Sequence, residues 1–328
     1  MCTAINFKTK DHYFGRNLDL EYTYQERVTI TPRNFPFRFR TVGELDSHYA
    51  MIGMAYVVGG YPLYYEATNE KGVSAAGLRF AGNAHYPGMA EGKDNVSPFE
   101  FVPWLLAQCE NMQEVRKLLE RVSLVNIPFN EELPLTPLHW MISCKNESLV
   151  VEAMEDGLHI YENPVGVLTN NPPFPMQLWN LNNYMGLSAE KQENRFAKTL
   201  LLQEYSHGLG ALGLPGDLSS ASRFVRAAFV LQNSVSGDSE EESVGQFFHI
   251  LTSVEQQRGC CHMGGGEYEI TAYSSCCNTD QGIYYYTTYG NRQITAVDMG
   301  KEDLDGQEVI TYSLVKIEQI YRQNILEK

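Results

Sequence analysis

The sequence predicts an α+β fold in which two antiparallel sheets lie at the centre and helices cover their outer faces. Strand-period runs fall in groups at the beginning, middle and end of the chain, and helix-period runs fall in groups between them. Single strands do not alternate with single helices, as a parallel βαβ sheet would require.

Residues 2–8 and 12–17 read as two strands around a turn at Lys10 and Asp11. Three further runs, "RVTITPR", "YAMIGMAYVV" and "YYEATNEKGVSAAGLRF", follow, the last divided by a turn from Asn69 to Gly72. Together they make the first third of the chain a sheet. From Pro98 the period changes. "PFEFVPWLLAQCENMQEVRKLLERV" spaces its apolar residues for two helices, with Ser97 as the expected N-cap and a break near Asn111. A second sheet is expected in "LHWMISCKNESLVVEAMEDGLHIYENPVGVLTNNP", with turns at Lys145-Asn146 and Asp156-Gly157. Helices then occupy "PMQLWNLNNYMG", "SRFVRAAFVLQNSV" and "SVGQFFHILTSV", and strands close the chain in "EYEITAYSSCC", "GIYYYTTYG" and "RQITAVDM".

With 328 residues, 43% of them hydrophobic and 20% charged, the chain can bury a core without disulfide or metal staples. Only "SGDSEEES" at 236–243 and "GGG" at 264–266 are of low complexity, too short for an interdomain linker, so residues 1–328 read as one domain. No apolar run reaches the length of a bilayer span, and the opening residues lack the basic and apolar regions of a signal peptide. Seven cysteines, an odd number with two adjacent pairs, suit a reducing compartment. The expected location is therefore the cytoplasm. A net charge of −15 without a basic stripe excludes nucleic acid as a partner. It also means that an anionic small molecule must be held by local groups.

The second residue carries the chemistry. A small side chain at position two permits removal of Met1, leaving Cys2 with a thiol and a free α-amine. Such an amine titrates at about 7.7 to 8.0 in general and can act as a base near neutrality. A nearby cation enriches the thiolate of any cysteine, so one residue can supply nucleophile and base. The return strand brings Arg16 within reach of the thiol and Asp19 within reach of the amine; the same spacing also fits a surface ion pair. "GCCH" and "SCC" place four cysteines and a histidine in the last third, but adjacent cysteines lack the spacer of a tetrahedral metal site, so buried free thiols and no metal are expected. "GLGALGLPGD" lacks the Lys-Ser/Thr of a phosphate loop, and no cofactor is expected. His139 reads as a strand residue.

The stretches "MCT…FGRNLDLEY", "NEKGVSAAGL", "LHWMIS", "GVLTNNP", "LGLPGDLSSASRFVR" and "GIYYYTTYGNRQITAVDM" resemble, in order and over nearly the whole length, the choloylglycine hydrolase family. That family of N-terminal nucleophile hydrolases includes bile salt hydrolases and penicillin V acylases, and the likeness is greater to the former. The resemblance implies an αββα four-layer sandwich, a homotetramer, and amide hydrolysis by a cysteine exposed autocatalytically or by a peptidase. It implies that Cys2 is nucleophile and amine base, that Arg16 and Asp19 organise it, that Asn170 binds the oxyanion, and that Arg223 completes the polar shell.

By the same resemblance a steroid-binding surface would fall on Leu18, Val58, Tyr65, Phe129 and Leu133. Tyr65 is bulkier than the residue usual there. Arg79 departs from the family, whose bile salt hydrolases commonly carry Asn after "AGL". It can pair with the carboxylate or sulfonate of an anionic conjugate, or it can face solvent or a neighbouring carboxylate. A main-chain N–H at that point can serve the oxyanion whatever the side chain. The expected activity is hydrolysis of glycine- or taurine-conjugated bile salts. The alternatives are an acylase for penicillin V or N-acyl lactones and, in another class, a catalytically silent bile-salt-binding protein whose pocket Arg79 and Tyr65 occlude.

Overall fold

A computed structural model describes residues 1–325; the last three residues of the expected domain, 326–328, lie outside the described residues. β1 (Cys2–Lys8) and β2 (His12–Leu20) form the expected hairpin, with Cys2 opposite Leu18 and Ala4 opposite Arg16. β3 (Arg27–Thr31) is followed by a small hairpin of β4 (Phe37–Phe39) and β5 (Gly43–Leu45). A meander of β6 (Met51–Val58), β7 (Tyr61–Asn69) and β8 (Ser74–Arg79) comes next. β9 (Asp94–Val96) precedes α1 (Phe101–Leu106) and α2 (Met112–Leu119) and pairs in parallel with β10 (Val122–Leu124). β11 (Leu138–Cys144), β12 (Glu147–Met154), β13 (Gly157–Glu162) and the short β14 (Val167–Leu168) lead into α3 (Phe174–Asn180), α4 (Ser220–Asn233) and α5 (Glu240–Thr252). A hairpin of β15 (His262–Gly264) and β16 (Glu267–Tyr268) precedes β17 (Ile270–Asn278), β18 (Ile283–Thr288), β19 (Asn291–Asp298) and β20 (Ile310–Ser313).

The long strands form two antiparallel sheets, one ordered β14-β1-β2-β17-β18-β19 and the other β13-β12-β11-β8-β7-β6-β3-β20. This corrects the expected grouping. The strands of the first third do not share a sheet: β1 and β2 join strands from the C-terminal end, while β3 and β6 to β8 join strands from the middle. Both groups have one face toward the other sheet and one toward helices, so their apolar alternation is alike and names no partner.

α4 and α5 pack on the six-stranded sheet and α1 on the eight-stranded sheet, giving the αββα order of layers. Strand alternation builds the two cores. Ala76, Met141 and Val150 face Phe14, Tyr273 and Tyr284 between the sheets, whereas their neighbours Ala75, Ile142 and Val151 lie beneath Trp104, Leu105 and Leu118. Gly15 has a specific reason: a Cβ there would sit 2.0 Å from the Ser275 carbonyl oxygen, so only glycine lets β2 and β17 meet.

Two helix starts differ from expectation. α1 begins behind Glu100 rather than at Ser97, because the Glu100 carboxylate accepts the Ser97 N–H (3.2 Å) and folds that residue into a preceding turn. α5 starts at Glu240, three residues before the expected run. There Ser239 Oγ accepts the Glu242 N–H (3.2 Å) and the Glu242 carboxylate reaches back to the Ser239 N–H (3.3 Å). Asn111 caps α2 at the expected break, its Oδ1 accepting the Glu114 N–H at 3.0 Å.

Candidate active site

The pleat of the first hairpin divides the site between two faces. Cys2, Arg16 and Leu18 point between the sheets, whereas Thr3, Asn17 and Asp19 alternate to the face beneath α4 and α5. Cys2, at the end of a strand, adjoins both sets. It is 4% exposed and lines a cavity of ≈ 430 Å³.

On the cavity side the Arg16 guanidinium is fully buried. Its Nη1 donates to the carbonyls of Gly77 (2.6 Å) and Tyr65 (3.2 Å), and its Nη2 has no hydrogen-bond partner among the described residues. Burial opposes the Arg16 charge, but Cys2 first, then Tyr273, Glu66 and Asp19, together hold it above the ordinary guanidinium value.

On the helix side Arg223 projects from the first turn of α4. Its Nη1 donates to the Cys2 carbonyl (2.6 Å) and to Thr3 Oγ1 (2.6 Å), and its Nη2 to Asn170 Oδ1 (2.8 Å). Asn170 Oδ1 also accepts the Cys2 N–H (2.8 Å), and Asn170 Nδ2 donates to the Arg79 carbonyl (2.8 Å). Asp19 Oδ1 accepts from Thr271 Oγ1 (2.6 Å), while Oδ2, 3.9 Å from Arg223 Nη1, has no hydrogen-bond donor among the described residues. Burial pushes the Asp19 carboxyl above its usual range, opposed by Arg223, the N-terminal ammonium and Thr271. That ammonium belongs to Met1: it donates to the Asp19 carbonyl (2.8 Å) and pairs with the buried Glu269 carboxylate. Burial lowers its pKa, against the charges of Cys2 and Asp19.

Cys2, Arg16, Asp19, Asn170 and Arg223 are thus brought together. Leu18, Tyr65, Phe129, Leu133 and Arg79 line the cavity, with Tyr22, Tyr24, Tyr56 and Phe99 completing much of its aromatic wall; Val58 is not among the lining residues. The Arg79 side chain is exposed and has no ion pair or hydrogen bond among the described residues, so it is not tied to a neighbouring carboxylate. Of the four cysteines expected to be buried, Cys276 and Cys277 are, but Cys260 is exposed and Cys261 only half-buried because they lead into a surface hairpin.

The periodicity of the sequence passed over the groups that hold these residues. His139 is more than a strand residue: its Nδ1 contacts Glu152 Oε1 (3.0 Å) and its Nε2 donates to the Thr169 carbonyl (2.8 Å), just before Asn170. Gln177 donates to the carbonyls of Asn170 (2.6 Å) and Pro172 (2.7 Å), and Ser220 Oγ accepts the Asn170 N–H (2.8 Å). Glu66, between the sheets, accepts from Tyr273, Tyr284 and Ser275. The only local signal was a polar residue on the core-facing side of an apolar strand.

A thiol at the head of a central strand, at the floor of a cavity between two antiparallel sheets and ringed by two arginines, a carboxylate and an amide, defines the class of N-terminal nucleophile amide hydrolases. Residues 2–312 match the model of the linear amide C–N hydrolases, choloylglycine hydrolase family. The chain belongs to that family and is an amide hydrolase. It is 55% identical to the bile salt hydrolase/transferase of Lactiplantibacillus plantarum, over 99% of this chain and 100% of the relative. The crystal structure of the C2A mutant of the conjugated bile acid hydrolase from Clostridium perfringens superposes with a TM-score of 0.91 at 39% identity, covering 99% of this chain and 100% of that one. Penicillin V acylase from Agrobacterium tumefaciens has the same fold, with a TM-score of 0.72 at 18% identity over 96% of this chain and 92% of its own.

Proposed function

We propose that the protein hydrolyses the amide bond of glycine- or taurine-conjugated bile salts. The observation that carries the reading is the position of Cys2, which opens onto a largely apolar cavity of ≈ 430 Å³ on one side and meets Asn170 and Arg223 on the other. That volume lies within the range of small-molecule sites, and its apolar wall suits a steroid nucleus.

In the proposed mechanism Met1 is removed first, which frees the Cys2 α-amine beside Asp19. The thiol passes its proton to the amine and the thiolate attacks the amide carbonyl, with Arg16 Nη2 as the free cationic donor on that side. Negative charge gathers on the carbonyl oxygen, where Asn170 Nδ2, the main chain at residue 79 or both can donate. The C–N bond breaks as the ammonium returns its proton to the leaving nitrogen. Water, deprotonated by the same amine, then splits the acyl thioester and restores the thiol.

The preferred test compares release of glycine or taurine from conjugated bile salts with cleavage of penicillin V, as kcat/KM on one preparation. The bile salt should be the better substrate, and the reverse ranking would reassign the enzyme as an acylase. Cys2→Ala should lower release by at least on the order of 10⁴-fold while keeping ligand-induced thermal stabilisation. Release that survives in this variant would remove the nucleophile from the mechanism.

Two further readings accompany this one. A homotetramer is supported by the apolar side chains that the segment 185–212 leaves in solvent: Met185, Phe196, Leu201, Tyr205 and Leu212 are each at least three-quarters exposed. Light scattering on eluting protein should give four times the chain mass. A cytoplasmic location is supported by seven unpaired cysteines. Among the described residues no helix is long and apolar enough to cross a membrane.

A further inference from the structure

Glu66 is the carboxylate opposite Arg16, and it is built into the site from both sheets. It stands on β7 and is 2% exposed. Three hydroxyls from the facing sheet converge on it: Tyr284 Oη (2.5 Å) and Ser275 Oγ (3.0 Å) donate to Oε1, and Tyr273 Oη (2.7 Å) donates to Oε2. Oε2 lies 3.8 Å from Arg16 Nε. Two tyrosines are a costly way to satisfy a carboxyl that could have been an apolar residue, since each buries a hydroxyl that needs a partner. Burial outweighs Arg16 and then the hydroxyls and leaves the Glu66 carboxyl above its usual range. The geometry is nonetheless that of a carboxylate, since three O–H groups donate to its two oxygens and the guanidinium lies beside one of them.

The geometry leaves Arg16 with one edge occupied and one free. Nη1 is held by two carbonyls of the eight-stranded sheet, Nε donates to the Asn17 carbonyl (3.5 Å) with Glu66 3.8 Å away, and among the described residues Nη2, itself buried, lacks a partner where Arg16 and Cys2 line the cavity. We propose that Glu66 is the positioning residue and counter-ion of Arg16, fixing the free guanidinium edge toward Cys2 and cancelling part of its charge there. Glu66 thereby limits how strongly the site attracts anions. The other charged or titratable groups around Cys2 and Arg16 are Asp19, Arg223, Arg79, Glu269, Tyr65 and the N-terminal amine, and none of them shares the Tyr273, Tyr284 and Ser275 donors. The proposal rests on Cys2 being the reacting thiol, but not on the identity of the substrate.

Two alkylating reagents test it. Iodoacetamide is neutral and iodoacetate is anionic, and both react with the thiolate by displacing iodide. The ratio of their rates at Cys2 therefore cancels the thiolate fraction and reads the local potential. Rates are taken on the N-terminal peptide by mass spectrometry, in mature chains that begin at Cys2. In Glu66→Gln, which keeps the shape and removes the charge, the iodoacetate to iodoacetamide ratio should rise roughly tenfold, since a unit charge removed within about 8 Å at a protein-like dielectric has that order of effect. Glu66→Asp draws the carboxylate back from Arg16 and should give a smaller rise, which carries the test if the Gln variant does not fold. An unchanged ratio in either folded variant would mean that Glu66 brings no charge to the site. An unchanged ratio therefore overturns the assignment, whereas a lower ratio would mean that Arg16 leaves the site without Glu66, which supports the positioning role and overturns the charge-cancelling one. Because no bile salt enters the measurement, failure of the substrate assignment would show separately, in the hydrolysis assay.

Discussion

Met1 and the catalytic amine of Cys2 exclude each other, since a peptide-bound nitrogen has no basic lone pair. Chains that retain Met1 should therefore show no turnover, and intact mass should find active molecules starting at Cys2; full activity in a wholly Met1-retaining sample would refute the amine-base role. Arg79 stands where the family resemblance leads one to expect Asn. Its guanidinium is exposed on the cavity wall and unpaired among the described residues, yet near enough for its charge to lower the pKa of the N-terminal ammonium. If it meets the anionic end of the conjugate, Arg79→Asn should raise KM about tenfold and leave kcat nearly unchanged, with a smaller loss in high salt. A fall in kcat on the order of a hundredfold would instead make the side chain an oxyanion donor. Steady-state kinetics at two salt concentrations separate the outcomes.

At the scale of elements, the contact of β2 with β17 is the most demanding in the fold. Every residue of the thiol hairpin depends on it, and Gly15 makes it possible. Gly15→Ala forces a methyl group into the Ser275 carbonyl, so the variant should lose about 3 kcal/mol or more, read as a shifted denaturant midpoint. Ser275 also donates to Glu66, so the surviving activity should fall as well. The strands themselves were legible, because turns such as Lys145-Asn146 and Asp156-Gly157 interrupt clean alternation. Sheet membership was not legible: β2 finds β17 some 250 residues away through a register that no local period records. Within the site, Cys2, Arg16 and Asp19 could be read from one hairpin. Asn170 and Arg223 were recoverable only through resemblance, since alone they look like a turn residue and a helix residue. Glu66 and His139 escaped because their roles consist of contacts with distant strands and loops.

For the whole molecule, pH acts through the seam between the sheets as well as through the active site. His12, on β2, is fully buried; its Nδ1 contacts Thr279 Oγ1 (2.9 Å) and its Nε2 contacts Ser143 Oγ on the facing sheet (3.3 Å). Burial lowers its pKa from 6.5 to about 4, only partly opposed by Asp280. Between those values the unfolded chain binds a proton that the folded chain does not. The neutral imidazole's contribution is therefore complete above pH 6.5 and is lost as the pH falls toward about 4, on the order of 3 kcal/mol in all. Denaturant midpoints across this window should fall more steeply for the wild type than for His12→Gln; equal slopes would place the acid sensitivity elsewhere.

The anchoring of the half-buried initiator residue has a practical consequence for counting enzyme. With Met1 in place the hairpin is paired, the cavity is formed and the ammonium is held by Glu269 and the Asp19 carbonyl. An unprocessed molecule would thus elute and scatter light like a processed one while contributing nothing to turnover. Absorbance would overstate the denominator of every specific activity. Comparison between preparations, hosts or variants then requires a burst titration of reactive N-terminal thiols, because two samples of equal purity can differ severalfold in kcat for no reason other than the fraction of chains that lost their first residue.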